Sequence, residues 1–325
     1  MLSRVADSLY WMSRYLERAE HTARLIDVHL NHTLDQSNAP EARRQRLLAS
    51  LHIPAPEDGL DNDYALAQWV TFERSNANTI TARIATARDN ARQVREQIST
   101  EMWEQLNQLF LFISEANMEQ VWADQPHEFY QAVKKGAHLF RGITDSTMNH
   151  GQGWHFIQLG CFIERTVTLA RLLEVEWQAL IAEDKPAAQR ANHLALLCLL
   201  KSCTAFEAYS KVYTANLQVR PVAEFLLLNR EFPHSIGFAI GMIQTALNAI
   251  AASTDSHKSA RVYRLAGRLH ATFNYGQIDE IINDDLCTHL AAVQAQCIQI
   301  HDAIYQLFIT YPIEEKLAAY DRSQQ

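Results

Sequence analysis

YLERAEHTARLID (15–27) and FIERTVTLARLLE (162–174) are two versions of one pattern, E-R-x4-A-R-[LI]-[LI]. Glu17-Arg18 stands with Ala23-Arg24 in the first, and Glu164-Arg165 with Ala170-Arg171 in the second. Around the first copy, Leu9, Met12, Leu16, Ala19, Ala23, Ile26 and Leu30 recur at spacings of three and four, which draws one apolar stripe along a helix of about 30 residues. Adjacent helical residues point about 100° apart, so neither glutamate pairs well with the arginine that follows it. Each charge therefore needs a partner on another element. If the two helices pack side by side, Glu17 meets Arg165 while Glu164 meets Arg18, with Ala23 and Ala170 small enough to permit close approach.

The two copies lie about 150 residues apart. Asn78-Thr79-Ile80 and His234-Ser235-Ile236 each open a long helix after a polar loop at nearly the same offset. The order implies internal repeats over roughly 1–148 and 149–311. Each half alone would expose its apolar stripe, so the expectation is one domain spanning 1–325, a pseudo-symmetric helical bundle built from two halves of about 150 residues.

The rest of the chain agrees with an all-α class. Gly and Pro are scarce, at 10 and 8 of 325 residues, and 48% hydrophobic composition is enough for a sizeable core. Thr79 reads as the N-cap of a helix running to about residue 98, and Ser99 as the cap of the next. Breaks at Pro126, Gly142, 149–153, Pro186, Pro221 and Pro233 leave roughly ten helices and no alternating strand. QSNAP (36–40) and HIPAPEDGLDND (52–63) flank a short basic helix, EARRQRLLAS, and this segment reads as an exposed excursion. Arg88, Arg92 and Arg95, interleaved with Asp89 and Glu96, read as a solvated face.

Composition also narrows function. A formal net charge of −8 offers no overall attraction to nucleic acid or an anionic membrane. The five cysteines are odd in number, form no C-x-x-C pair and sit in apolar helical stretches, which points to reduced thiols and a cytoplasmic chain. Charged residues interrupt the N-terminal apolar positions, so no signal peptide is read, and no apolar run approaches the ~18 residues of a membrane span.

The Glu-Arg motif supports two readings. Buried ion pairs would fix how the halves dock. A charged cleft of Arg14, Glu17, Arg18, Arg24, Glu164, Arg165 and Arg171 would instead let a glutamate accept a proton, or let the arginines clamp a carboxylate or phosphate. Two loops add candidates: His150 and Trp154 before the second Glu-Arg helix, and Arg230, His234 and Ser235 before another, where unpaired helix-start N–H groups suit anions or are simply capped. Glu17, Glu20 and His21 share a helical face, but Val167 and Thr168 replace the latter two in the second copy. His29, His32 and Asp35 also have ligand-like spacing but lie at a helix end, and no metal site is expected. No P-loop, G-x-G-x-x-G or G-x-S-x-G occurs, so no cofactor is expected.

Four segments, LYWMSRYLERAEHTARLID, ATARDNARQVREQISTEMWEQLN, TMNHGQGWHFIQLGCFIERTVTLARLLE and FLLLNREFPHS, together resemble the Alpha-E family of bacterial helical proteins. The resemblance implies gene neighbours encoding circularly permuted ATP-grasp ligases and transglutaminase-like peptidases. From it follows the expectation of a helical partner or substrate-presenting component of a peptide-modification system that works through amide bonds. A hydrolase or transferase using a Glu/Arg cleft is the alternative, and a structural assembly module a third. Two positions depart from the family pattern: Cys161 stands where relatives tend to carry Arg, matched by Arg14 in the first copy, and His234 replaces a usual Arg. Both remove positive charge from the cleft.

Overall fold

The computed structural model describes residues 3–33, 39–182, 189–213, 217–252 and 260–310. Asp35, residues 36–38 and Pro186 lie outside them, as does the side chain of His32. Among the described residues the chain forms fifteen α-helices and no strand.

Two helices of 31 residues each, α1 (Ser3–Thr33) and α8 (Gln152–Ala182), form the centre and pack on one another. They are the two Glu-Arg helices. Beside α1 stand α4 (Ile80–Gln93) and α7 (Pro126–Thr147), joined through α5 (Thr100–Glu115), which contacts both. Beside α8 stand α12 (Ile236–Ala252) and α15 (Leu286–Ile304), joined in the same way through α13 (Ala260–Tyr275). Shorter helices fill the flanks: α2 (Pro40–Leu51), α3 (Asp63–Thr71), α6 (Met118–Asp124), α9 (Gln189–Ser202), α10 (Phe206–Tyr213), α11 (Val219–Leu228) and α14 (Ile278–Asn283). None of the described helices is long and apolar enough to cross a membrane.

The stripe read from the sequence is the inner face of α1: Leu9, Met12, Leu16, Ala19, Ala23 and Ile26 are all buried. Capping sets the helix starts. Thr79 accepts a hydrogen bond from the Ala82 N–H at 3.1 Å, and Ser99 one from the Met102 N–H at 3.1 Å. Helix α4 is shorter than its periodicity implied. It ends at Gln93, and a single 3-10 turn over Arg95–Gln97 leads to an extended Ile98, which delivers Ser99 to its cap. Two other expectations are corrected. Helix α2 is not an excursion: it docks on α8 and buries Leu47, Leu48 and Leu51. Arg88 is not simply solvated: its guanidinium lies 4.5 Å from the Phe110 ring centroid, and its Nε donates to Asn107 at 2.7 Å.

The closest approach of α1 and α8 is at Gly160. A Cβ placed there would overlap the Tyr10 carbonyl oxygen and the Ser13 hydroxyl, so the crossing needs a residue without one. Gly160→Ala is expected to push the helices apart and lower stability by roughly 1–3 kcal/mol or more, read as a lower urea midpoint. An unchanged midpoint would show that the crossing yields easily.

Candidate functional site

Arg14, Glu17 and Arg18 share one face of α1, and Cys161, Glu164 and Arg165 the matching face of α8, since residues three and four apart are helical neighbours. Where these faces meet, Glu17 accepts from Arg165 Nε at 2.8 Å and Nη2 at 3.2 Å. Glu164 accepts from Arg18 Nε at 2.5 Å and Arg14 Nε at 2.8 Å. The exchange is reciprocal, as the motif led us to expect, and both carboxylates are buried.

The two ends of the exchange are not identical. Cys161 occupies the position equivalent to Arg14, and its thiol donates to Glu17 Oε2 at 3.2 Å. The second guanidinium on Glu17 comes instead from Arg141 of α7. Arg141 belongs to a row of basic residues on α7 that answers a row of acids on α1. His127 and Lys134 bind Asp27 at 2.6 Å and 2.5 Å, His138 lies 3.4 Å from Glu20, and Arg141 reaches Glu17. Glu20 is held besides by Arg24 of its own helix.

Electrostatics decides what these groups can do. Burial pushes the Glu17 carboxyl up, but Arg141 and Arg165 outweigh it and hold it at about 2. Arg14 and Arg18 do the same for Glu164, again to about 2. Burial, reinforced by the charge of Glu17, pushes the Cys161 thiol up to about 11. Burial also keeps His234 neutral, well below its ordinary value, with Arg165 acting in the same direction. At neutral pH the crossing therefore holds two fully ionised carboxylates, whose hydrogen-bonding capacity is taken up by arginines, and a protonated thiol. A carboxylate held near 2 is a poor general base, and a thiol near 11 a poor nucleophile.

Beyond Glu164 the arginines pack against aromatic rings. Arg14 lies 4.7 Å from the Trp11 ring centroid and donates to the Tyr10 hydroxyl, which hydrogen-bonds His301 Nδ1 at 2.9 Å. Arg83 of α4 is buried nearby, donating to Thr22 Oγ1 at 2.6 Å. Beyond Glu17 the structure opens. A cavity of about 510 Å³ lies between α7, α8 and residues 232–234, and Arg141, Cys161, Arg165, His138 and His234 all line it. Its volume is in the range of small-ligand pockets.

The remaining candidates disperse. Arg171 points away from the crossing and donates to Gln294 at 3.1 Å. His150 stacks on Trp154 with centroids 4.2 Å apart and hydrogen-bonds the Asp145 carbonyl. Arg230 donates to the Asn274 carbonyl beside a separate cavity of about 240 Å³. Ser235 caps α12, accepting from the Phe238 N–H at 3.1 Å, so its loop works as a cap. His29 is taken by Asp63 of α3 at 3.1 Å. Sequence reading missed Arg141, His138, Arg83 and Tyr10. The missing arginine at Cys161 was the available signal for Arg141, because a buried Glu17 with one cation fewer calls for another from a third helix.

The fold and site define an all-helical protein whose central helices exchange buried Glu-Arg pairs. The chain belongs to the Alpha-E family, described as a predicted alpha-helical domain with a conserved ER motif, and matches it over residues 1–309. It is similar to the uncharacterized proteins Mb2597 of Mycobacterium bovis and Rv2567 of Mycobacterium tuberculosis, each 24% identical over 328 residues that include 90% of this chain. The chain spans 35% of the length of those relatives. No solved structure matches it significantly.

Two outcomes follow from the paired charges. Glu17→Ala leaves the guanidiniums of Arg165 and Arg141 without their carboxylate and is expected to cost roughly 3–5 kcal/mol in urea unfolding. Arg165→Ala should cost less, because Arg141 and Cys161 still hold Glu17, and the double variant should recover part of the Glu17→Ala loss. Equal, additive losses would remove the docking role. The pH dependence has a definite sign. Glu17 and Glu164 titrate lower in the folded chain than their ordinary 4.5, so their contribution is full above about pH 4.5 and is lost as pH falls toward 2. Burial holds His21, which neighbours Glu20, Glu17, Arg24 and Arg83, at about 4 against an ordinary 6.5. Its unfolded form therefore takes up a proton first, and stability starts to fall below pH 6.5. Urea midpoints of His21→Gln should decline less between pH 6.5 and 4 than those of the wild type.

Proposed function

We propose that this chain is a substrate-presenting component of an amide-bond-forming peptide-modification system, binding a peptide in the 510 Å³ cavity while a partner ATP-grasp ligase carries out the chemistry. One observation carries the reading. The charged groups at the cavity floor are engaged with each other, so the floor of this shaped, largely apolar pocket offers neither a free carboxylate nor a thiolate, and the other lining carboxylate, Asp145, is exposed beside His150. Such a floor holds and orients a ligand and does not attack it. The resemblance supplies the partner class, and since the sequence carries no phosphate-cradling motif this reading gives the nucleotide to the other chain.

With Glu17 and Glu164 held by arginines, the Glu/Arg-cleft enzyme alternative has little support, and an enzyme reading turns instead on His234, a neutral imidazole on the cavity wall that makes no hydrogen bond among the described residues. Both readings are tested by purifying the chain with an ATP-grasp ligase of the class that the resemblance implies, with and without Mg-ATP and peptide. Co-purification, no saturable heat on titrating the isolated chain with Mg-ATP, and no peptide turnover without the ligase are the expected results. Turnover by the isolated chain that disappears in His234→Ala would replace this reading with the enzyme one.

A further inference from the structure

The cavity walls combine two chemistries. Leu16, Phe140, Ile157, Phe162, Phe232 and Pro233 make most of the surface apolar. The arginines of the lining are unbalanced: Arg141 and Arg165 share one buried carboxylate, Glu17, which leaves one positive charge over. His138 and His234 also line the cavity, the latter neutral. Asp145 lines it too, but its side chain is 66% exposed, and solvent screens it beside His150.

The two arginines at the floor are used differently. Arg165 is 5% exposed and fully engaged, with Nε and Nη2 on Glu17 and Nη1 on the Pro233 carbonyl. Arg141 is 28% exposed and gives Glu17 only Nη2. Among the described residues its Nε and Nη1 have no partner, so N–H groups of its guanidinium remain for a second carboxylate. His234, on the same wall, has an N–H to offer.

We propose that this cavity binds the free C-terminal end of a peptide, with the terminal carboxylate on Arg141 and the last, apolar side chain against the phenylalanine-lined wall. The single surplus charge matches one carboxylate, and the apolar lining matches a side chain attached to it. The proposal rests on the substrate-presenting reading for its site, and it specifies which end of the peptide is held.

Calorimetric titration of the full chain tests it with three probes: N-acetyl-alanyl-leucine, the same dipeptide as its C-terminal amide, and octanoate. The acid should bind at least about tenfold more tightly than the amide, since the amide leaves those guanidinium N–H groups without an anion. Arg141→Gln should abolish that preference. Because this change also touches Glu17, a second variant leaves the charges alone. Gly142 lies on α7 at the cavity mouth, where an added Cβ meets nothing within 4 Å. Gly142→Leu should fill the cavity and remove binding while keeping or raising the melting temperature.

Equal binding of acid and amide, an intact preference in Arg141→Gln, or no binding of either dipeptide would overturn the proposal. Octanoate binding as tightly as the acid would overturn the peptide end as the occupant. Acid binding without ligase co-purification would uphold this proposal and remove the partner reading, whereas co-purification without acid binding would do the reverse.

Discussion

Two carboxylates sit in the dry crossing of the two longest helices, and most of what surrounds them answers that constraint. Removing an ion from water costs several kcal/mol, and it persists in an interior only when opposite charge and hydrogen bonds meet it closely. Here each glutamate receives two guanidiniums. Because a helix cannot satisfy its own Glu-Arg neighbours, the cations have to come from across the interface. That requirement fixes the register of α1 against α8. It brings Arg141, and with it α7, onto the same face, and the close approach falls at a glycine.

The two ends of the exchange solve the same problem with different consequences. Around Glu164 the arginines are packed among Tyr10, Trp11 and Tyr15, with Arg83 and His301 nearby. Around Glu17 a small thiol takes the place of one arginine, and the replacement guanidinium enters from a different helix. The exchange of a long side chain for a short one on α8 coincides with the cavity, which Cys161 and Arg141 both line. Aromatic rings pack around the arginines on one side, and a cavity opens on the other.

Much of this was legible in the residues because it depends on local rules. The stripe from Leu9 to Ile26, the caps at Thr79 and Ser99, and the inability of Glu17 to pair with Arg18 all follow from helical geometry, and the crossed pairing follows from the last. What was not legible depends on tertiary contact. Arg141 has no motif of its own; its meaning comes from Cys161, twenty residues later and one helix over. Helix α2 looks solvent-facing by composition, yet Leu47, Leu48 and Leu51 are enough to dock it. In the 229–235 loop the serine and asparagine accept from backbone N–H groups, which is the capping alternative that the sequence offered for it.

The crossed pairs also impose an order on how the chain is made. Glu17 and Arg165 are 148 residues apart in sequence, and Arg14 and Glu164 are 150 apart. At translation rates of about 5–20 residues per second, α1 leaves the ribosome roughly seven to thirty seconds before its partner helix exists. In that interval its glutamates and arginines stay hydrated, and its apolar stripe has only helices of the first half, chiefly α4 and α7, to cover it. The nascent first half is thus held back from completing its centre until α8 arrives, so the last large burial of charge is postponed to the second half of synthesis.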